Sequence, residues 1–269
     1  MRATTLSLAA ALATAAALCT ACSAGPRSDA GKNGSAESPA DHAATVRAAV
    51  EATRATSAHT KQQLDLSADA RTFRISTTGG FDMAADRGEL TVRMREQPAV
   101  EFHEIFAGDV VHVRGVSALE GERWGTVARA KATAHALLRA PLNDPEYLLG
   151  QIADLRNVSD EGEASIDGVR TTHYRGTLDH ATLTRRLAAD TRKKADQLRD
   201  YLGDDIPVFA DAWVDAKGRV VRTRTVLNLP QADTKMKVTL SLSRLGAPVK
   251  VTVPESSTPG ADTNGTFLG

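Results

Sequence analysis

The chain has 269 residues, and 33 Lys plus Arg are balanced by 33 Asp plus Glu, so its net charge is zero. That balance argues against a general nucleic-acid binder, which needs a basic excess to displace counterions from phosphates, and no nucleic-acid partner is expected. A hydrophobic fraction of 42% excludes wholesale disorder, while an aromatic fraction of 4% means that any apolar cavity is lined mainly by Leu, Val, Ile and Ala.

Residues 1–21 have the build of an export signal: Arg2 as the early positive charge, an apolar run from Leu6 to Leu18, then small residues. The run is shorter than the ~20 residues a transmembrane helix needs. Cys22 follows directly on Leu18-Cys19-Thr20-Ala21, the lipobox arrangement. There the thiol is alkylated with a diacylglyceryl group and the chain is cut between Ala21 and Cys22. Cys19 stands where Leu is usual, and bulky Leu18 before it makes Cys19 itself a poor acceptor. The expectation is a lipoprotein anchored to the cell membrane on its extracytoplasmic face; the rival is a secretory signal in which Cys22 is incidental. Anchoring by two or more acyl chains is stable where a single chain is not.

Residues 22–41 are small, polar and Gly- and Pro-containing, a composition that reads as a flexible tether spanning roughly 25 Å. Residues 254–269 read as a similar, unstructured tail, which leaves 42–253 as the folded domain.

The domain opens with a helix over Ala43–Thr56, capped by Asp41, with Val46, Ala49, Val50 and Thr53 on one face. The period then changes to two through Leu64/Leu66, Phe73/Ile75, Leu90/Val92/Met94, Val100/Phe102/Phe106 and Val110–Val113. Turn signals at Gly79-Gly80, Asp86-Arg87-Gly88, Gln97-Pro98 and Gly108-Asp109 separate these runs, giving an antiparallel meander. Ala128–Arg139 and Asp144–Leu155 read as helices flanking a break at Pro141–Asn143. Strands follow at Arg156–Ile166 and Val169–Leu178, joined at Asp167-Gly168. A longer helix, Ala181–Leu202, precedes strands at Val208–Val214, Arg219–Leu229 and Lys235–Leu245. The fold class expected is α+β: a curved antiparallel β half-barrel of about ten strands with helices packed over its concave face.

No catalytic constellation emerges. His103, His112, His135, His173 and His180 form no short-spaced metal-ligand set, no GxSxG elbow is present, and no Gly-rich phosphate loop occurs. Glu101/Glu104 and Asp204/Asp205 read as solvated strand and turn residues. No enzyme activity, metal or cofactor is expected. In the helix from Ala181, Arg185, Arg186, Arg192, Lys193, Lys194 and Arg199 outnumber Asp190, Asp196 and Asp200. Leu183, Leu187, Leu198 and Tyr201 form its apolar stripe. That helix is either a solvated outer face or a contact for anionic headgroups.

The architecture offers the better functional clue. From the strands, Leu90, Val92, Met94, Val100, Phe102, Phe106, Val111 and Val113 should point inward. Leu137, Leu138, Tyr147, Leu148 and Ile152 should meet them from the helices. These residues form either the lining of an apolar cavity suited to acyl chains or a tight core, and periodicity does not separate the two.

Several segments carry a family likeness: Gly121-Glu122-Arg123-Trp124 leading into a helix, Asn143-Asp144-Pro145-Glu146-Tyr147-Leu148-Leu149, Gly168-Val169-Arg170-Thr171-Thr172-His173-Tyr174-Arg175-Gly176, and the hairpin Asp211–Arg219. With the lipobox at Cys22, the chain resembles the LppX/LprA/LprF/LprG-type lipoproteins of actinobacteria, whose domain is LolA-like. The resemblance implies an antiparallel half-barrel with helices over its mouth. It also implies non-enzymatic binding of a membrane lipid or lipoglycan and its delivery across the envelope. The rival from a different class is an envelope sensor of the same fold with a closed core, whose partner is an envelope protein.

Overall fold

The computed structural model describes residues 39–68, 71–94, 100–115, 123–230 and 233–259. Cys22, the tether up to residue 38, the Gln97-Pro98 turn, Gly121-Glu122 and the tail from residue 260 lie outside the described residues. Helix α1 (Pro39–Arg54) leads into strands β1 (Ser57–Ala68), β2 (Arg71–Asp82), β3 (Arg87–Met94), β4 (Val100–Ala107), β5 (Val110–Arg114) and β6 (Gly125–Ala128). Helix α2 (Pro145–Ala153) is followed by β7 (Arg156–Ile166), β8 (Val169–Thr177), α3 (His180–Thr184) and α4 (Ala189–Leu202). Strands β9 (Val208–Asp215), β10 (Val220–Leu229), β11 (Thr234–Ser243) and β12 (Thr258–Pro259) complete the chain.

Among the described residues, the twelve strands form one open sheet in the order β12-β6-β5-β4-β3-β2-β1-β11-β10-β9-β8-β7. Neighbours are antiparallel except β12, which runs parallel to β6. This is an open α+β half-barrel, and it follows from the period-two alternation. Leu90, Val92 and Met94 of β3 and Met236, Val238, Leu240 and Leu242 of β11 are buried, with more exposed residues between them. Val46, Ala49 and Val50 of α1 and Leu148, Leu149 and Ile152 of α2 join the same core, so the helices lie against the apolar face. Helix α1 packs on α2 and on β7, β9 and β10. Thr53 stitches it there: its hydroxyl donates to the Ala49 carbonyl at 2.7 Å and accepts from the Val220 N–H at 2.8 Å.

Several local expectations are corrected. Helix α1 begins at Pro39, so Asp41 sits inside the first turn, where its charge suits the helix dipole, and is not the cap. Gly79-Gly80 is no turn; both lie within β2. A Cβ on Gly79 would stand 1.9 Å from the Glu89 carbonyl oxygen, and one on Gly80 would stand 3.0 Å from Val249. The glycines permit close approach of a strand and of the C-terminal segment; the hairpin itself turns at Met83–Asp86.

Ala128–Arg139 is not a helix, and Arg123-Trp124 lead into β6 instead of one. Its alanines would favour a helix in isolation. Its backbone groups are instead satisfied at a distance: Arg186 donates to the carbonyls of Arg129 and Ala132, and Ala134 bridges to Leu187. Only Arg129–Lys131 and Pro141–Asn143 make single 3-10 turns. The same bridge divides the helix expected over Ala181–Leu202, since Leu187 and Ala188 are extended to pair with Ala134. The two strands beyond the expected ten are β6 and β12, and β12 lies in the tail expected to lack structure.

At the far edge, β7 is bulged twice against β8, with Asn157 (φ 51°) and Gly162 (φ 92°) in left-handed conformations. Asp160, Glu161 and Glu163 line the exposed strand there.

Candidate functional site

All thirteen residues expected to line a cavity come together in one cluster. Leu90, Val92, Met94, Phe102, Phe106, Val111, Val113, Leu138, Leu148 and Ile152 are buried, and Val100, Leu137 and Tyr147 are half-buried against them. They pack closely: Phe81 meets Phe106 edge-on at 5.1 Å between centroids, and the Arg129 guanidinium lies 5.2 Å from the Phe106 ring. Of the thirteen, Tyr147 borders a polar surface pocket shared with Arg129, Asp144, Glu146 and Arg186.

The apolar face continues past this cluster to one end of the half-barrel. Thr53 pins α1 at Val220, the start of β10. At the opposite strand ends, Leu66 of β1 stands across from Phe73 of β2 and from Met236 of β11, which in turn faces Leu227 of β10. Leu227 and Met236 are buried, whereas Leu66 and Phe73 are only half-buried. A pocket of about 440 Å³ opens there, lined by Leu66, Ala68, Arg71 and Phe73. Its volume falls within the roughly 300–1,000 Å³ of small-molecule sites. Arg71 stands exposed at the rim and makes no ion pair among the described residues. Greasy walls beneath a cationic rim suit a hydrocarbon tail with an anionic head. Sequence reasoning placed Leu66 and Phe73 on strands without assigning them to a site. Alternation marks which face they share, but not that the face runs out from under its cover.

One carboxylate departs from its expected setting. Glu101 pairs with Arg93 on the outer face, but Glu104, read as solvated, is fully buried between Leu90 and Val113. The spacing of three places them on opposite faces of β4. Burial pushes the Glu104 carboxyl well above the usual range, against the Asn143 amide, which donates at 3.1 Å, and the nearby Arg139 guanidinium. Burial also lowers Arg139 to about 10. Asn143 and Leu142 sit at φ 51° and 55°, so the segment ending at α2 is held against β4 in a costly conformation. Asp144 then caps α2, accepting from the Glu146 N–H at 2.9 Å.

The basic residues ahead of and along α4 divide by role. Arg185 pairs with Asp154 at 2.5 Å, Arg186 holds backbone carbonyls, and Arg192 does the same for Thr184 and Arg185. Lys193 and Lys194 are exposed, as is Tyr201 at 83%, so Tyr201 does not extend the buried stripe of Leu183 and Leu187. Among the described residues, no group of three His, Cys, Asp or Glu side chains could hold a metal ion, and no helix is long and apolar enough to cross a membrane.

The fold is thus that of an open half-barrel with an apolar inner face. No family model matches the chain, and no curated protein matches it by sequence. Among solved structures it is similar to LprF from Mycobacterium bovis, at 16% identity and a TM-score of 0.48, covering 81% of this chain and 99% of that one. It is similar also to lipoprotein LppX from Mycobacterium tuberculosis, at 15% and 0.45, covering 80% and 100%. A LolA superfamily protein from Nitrosomonas europaea follows at 12% and 0.28, covering 79% and 94%. The likeness lies in the path of the chain and carries nothing about ligands.

Proposed function

We propose that this protein is a membrane-anchored envelope lipoprotein that binds an acyl chain of a lipid or lipoglycan in its half-barrel and carries or presents it. The anchor is Cys22. The tail enters at the hairpin end, past Leu66 and Phe73, and Arg71 meets the head. The observation that supports this reading is the apolar inner face reaching an open pocket at that end. Each methylene buried there contributes about 0.8 kcal/mol without directional contacts, which suits a carrier that must also release its load. No bond-making step is required of any residue.

Native mass spectrometry of the delipidated protein, before and after exposure to a lipid extract, tests the reading. The expected result is a lipid-sized mass adduct, reduced at least tenfold in occupancy by Phe73→Glu, which places a charge on the pocket wall. The absence of any adduct would overturn it.

The close packing around Leu90, Phe102 and Phe106, each 1% exposed or less, favours a second reading. In it the core stays closed and the same fold serves as a non-catalytic module for an envelope protein partner. An adduct-free protein is the outcome that selects it.

A further inference from the structure

A second pocket, of about 470 Å³, lies on the outer face of the sheet, opposite the core. Its shape follows from which residues alternate outward. Strand β11 turns out Thr239, Ser241 and Ser243, while β1 beside it turns out His59, Lys61 and Gln63. On the other side, Arg222 of β10 stands directly across from Ser241. Short hydroxyl side chains between rows of longer ones leave a trough, with Lys237 and the Asp167 turn among its lining.

The charges in the trough are unevenly matched. Asp167 is taken by Arg222 at 2.8 Å, and Arg222 also donates to the Ser241 hydroxyl at 3.1 Å. Lys237 is held by Asp65 at 3.2 Å, from outside the pocket lining. Lys61 is exposed, and its ammonium makes no ion pair or hydrogen bond among the described residues. One unmatched ammonium, that of Lys61, thus overlies a floor of hydroxyl groups. Leu242, the single apolar residue of the lining, is buried.

We propose that this trough binds a phosphate-bearing sugar group. The phosphate is met by Lys61 and by the Arg222 N–H groups not given to Ser241 and Asp167. The sugar hydroxyls are met by Thr239, Ser241, Ser243 and the Gln63 carbonyl oxygen, its amide nitrogen being held by Asp65. Guanidinium and ammonium groups give charge-assisted bonds to phosphate oxygens. Serine and threonine hydroxyls both donate and accept, as sugar hydroxyls do. An apolar ligand would find almost no area to bury here. The volume suits one sugar phosphate, whether free or as the head of a lipid. The site lies on the opposite face from the acyl pocket and is independent of it.

The test is titration of the purified full-length chain with glucose 6-phosphate, followed by NMR chemical shifts. Glucose and inorganic phosphate serve as comparison ligands, and vesicles containing phosphatidylinositol supply the lipid-borne form. Saturable binding of glucose 6-phosphate at least tenfold tighter than of either comparison ligand is expected. It should weaken tenfold or more in Lys61→Glu and in Ser241→Leu, which fills the floor, and be unchanged in Lys193→Glu. Binding of the phosphatidylinositol vesicles with the same dependence on Lys61 would identify a headgroup as the source; binding of glucose 6-phosphate alone would identify the free compound. Equal binding of inorganic phosphate, no binding of either sugar phosphate form, or indifference to Lys61→Glu would overturn the proposal.

Discussion

Glu104 shows how one side chain ties the stability of the molecule to pH. It is wholly buried, and its carboxyl titrates well above the 4.5 of an ordinary glutamate, chiefly because the ionised form loses its hydration. The folded state therefore holds its proton at pH values where the unfolded chain has released it. The stabilisation is complete below pH 4.5 and declines as pH rises towards the folded-state value. Glu104→Gln keeps an acceptor for Asn143 and removes the titration. Urea unfolding at pH 4.5 and pH 8 should show the wild type losing stability relative to Glu104→Gln, by up to about 1.4 kcal/mol per pH unit within the window. A constant difference between the two proteins across that range would exclude this account. The spacing carried the inward direction, since Glu104 shares its face of β4 with Phe102 and Phe106, but residue type argued against burial. A carboxylate on the inner face of an alternating strand breaks the apolar pattern, and only its parity with Phe102 and Phe106 separates it from Glu101.

At the scale of elements, the segment from Arg129 to Asn143 is held by tertiary hydrogen bonds in place of its own helix. Arg186 is central, since it donates to the Ala132 carbonyl at 2.7 Å and also to that of Arg129. Arg186→Ala leaves those carbonyls to water or unpaired, at a cost of about 1–3 kcal/mol. Hydrogen exchange should show faster exchange at Ala134 and its neighbours while the central strands β1 and β11 keep their protection. Uniform protection across the chain would count against it. Elements were legible where the pattern repeated, as in the strands from β1 to β4 and from β7 to β11. They were illegible where the backbone's partner is far away in sequence. Ala134 and Leu187 pair across more than fifty residues, and this one bridge accounts both for the missing helix and for the break before α4. Strand β6 has four residues and β12 two, too few to show a period.

For the whole molecule, the lipid anchor proposed at Cys22 would decide where the half-barrel works. Cys22→Ser should move the protein from the membrane fraction to the medium, and labelled palmitate should no longer be incorporated. Retention in the membrane would point to a different means of attachment. The candidate site was half legible. The eight inward strand residues were identifiable from alternation, and the five expected from helices join them in the cluster although Leu137 and Leu138 stand on no helix. The opening at Leu66 and Phe73, however, depends on how far the strands extend beyond the helices, a dimension that no residue pattern encodes. Thr53 marks the covered end and Arg71 the open one, nine residues of β10 apart at about 3.4 Å each.

The bulged margin at β7 matters for copies crowded in two dimensions. Molecules anchored to one surface, as proposed here, would meet repeatedly, and a straight sheet border with free amides would zip them together. Twice kinked and fringed by Asp160, Glu161 and Glu163, that border offers no straight, uncharged edge for a second copy to pair with.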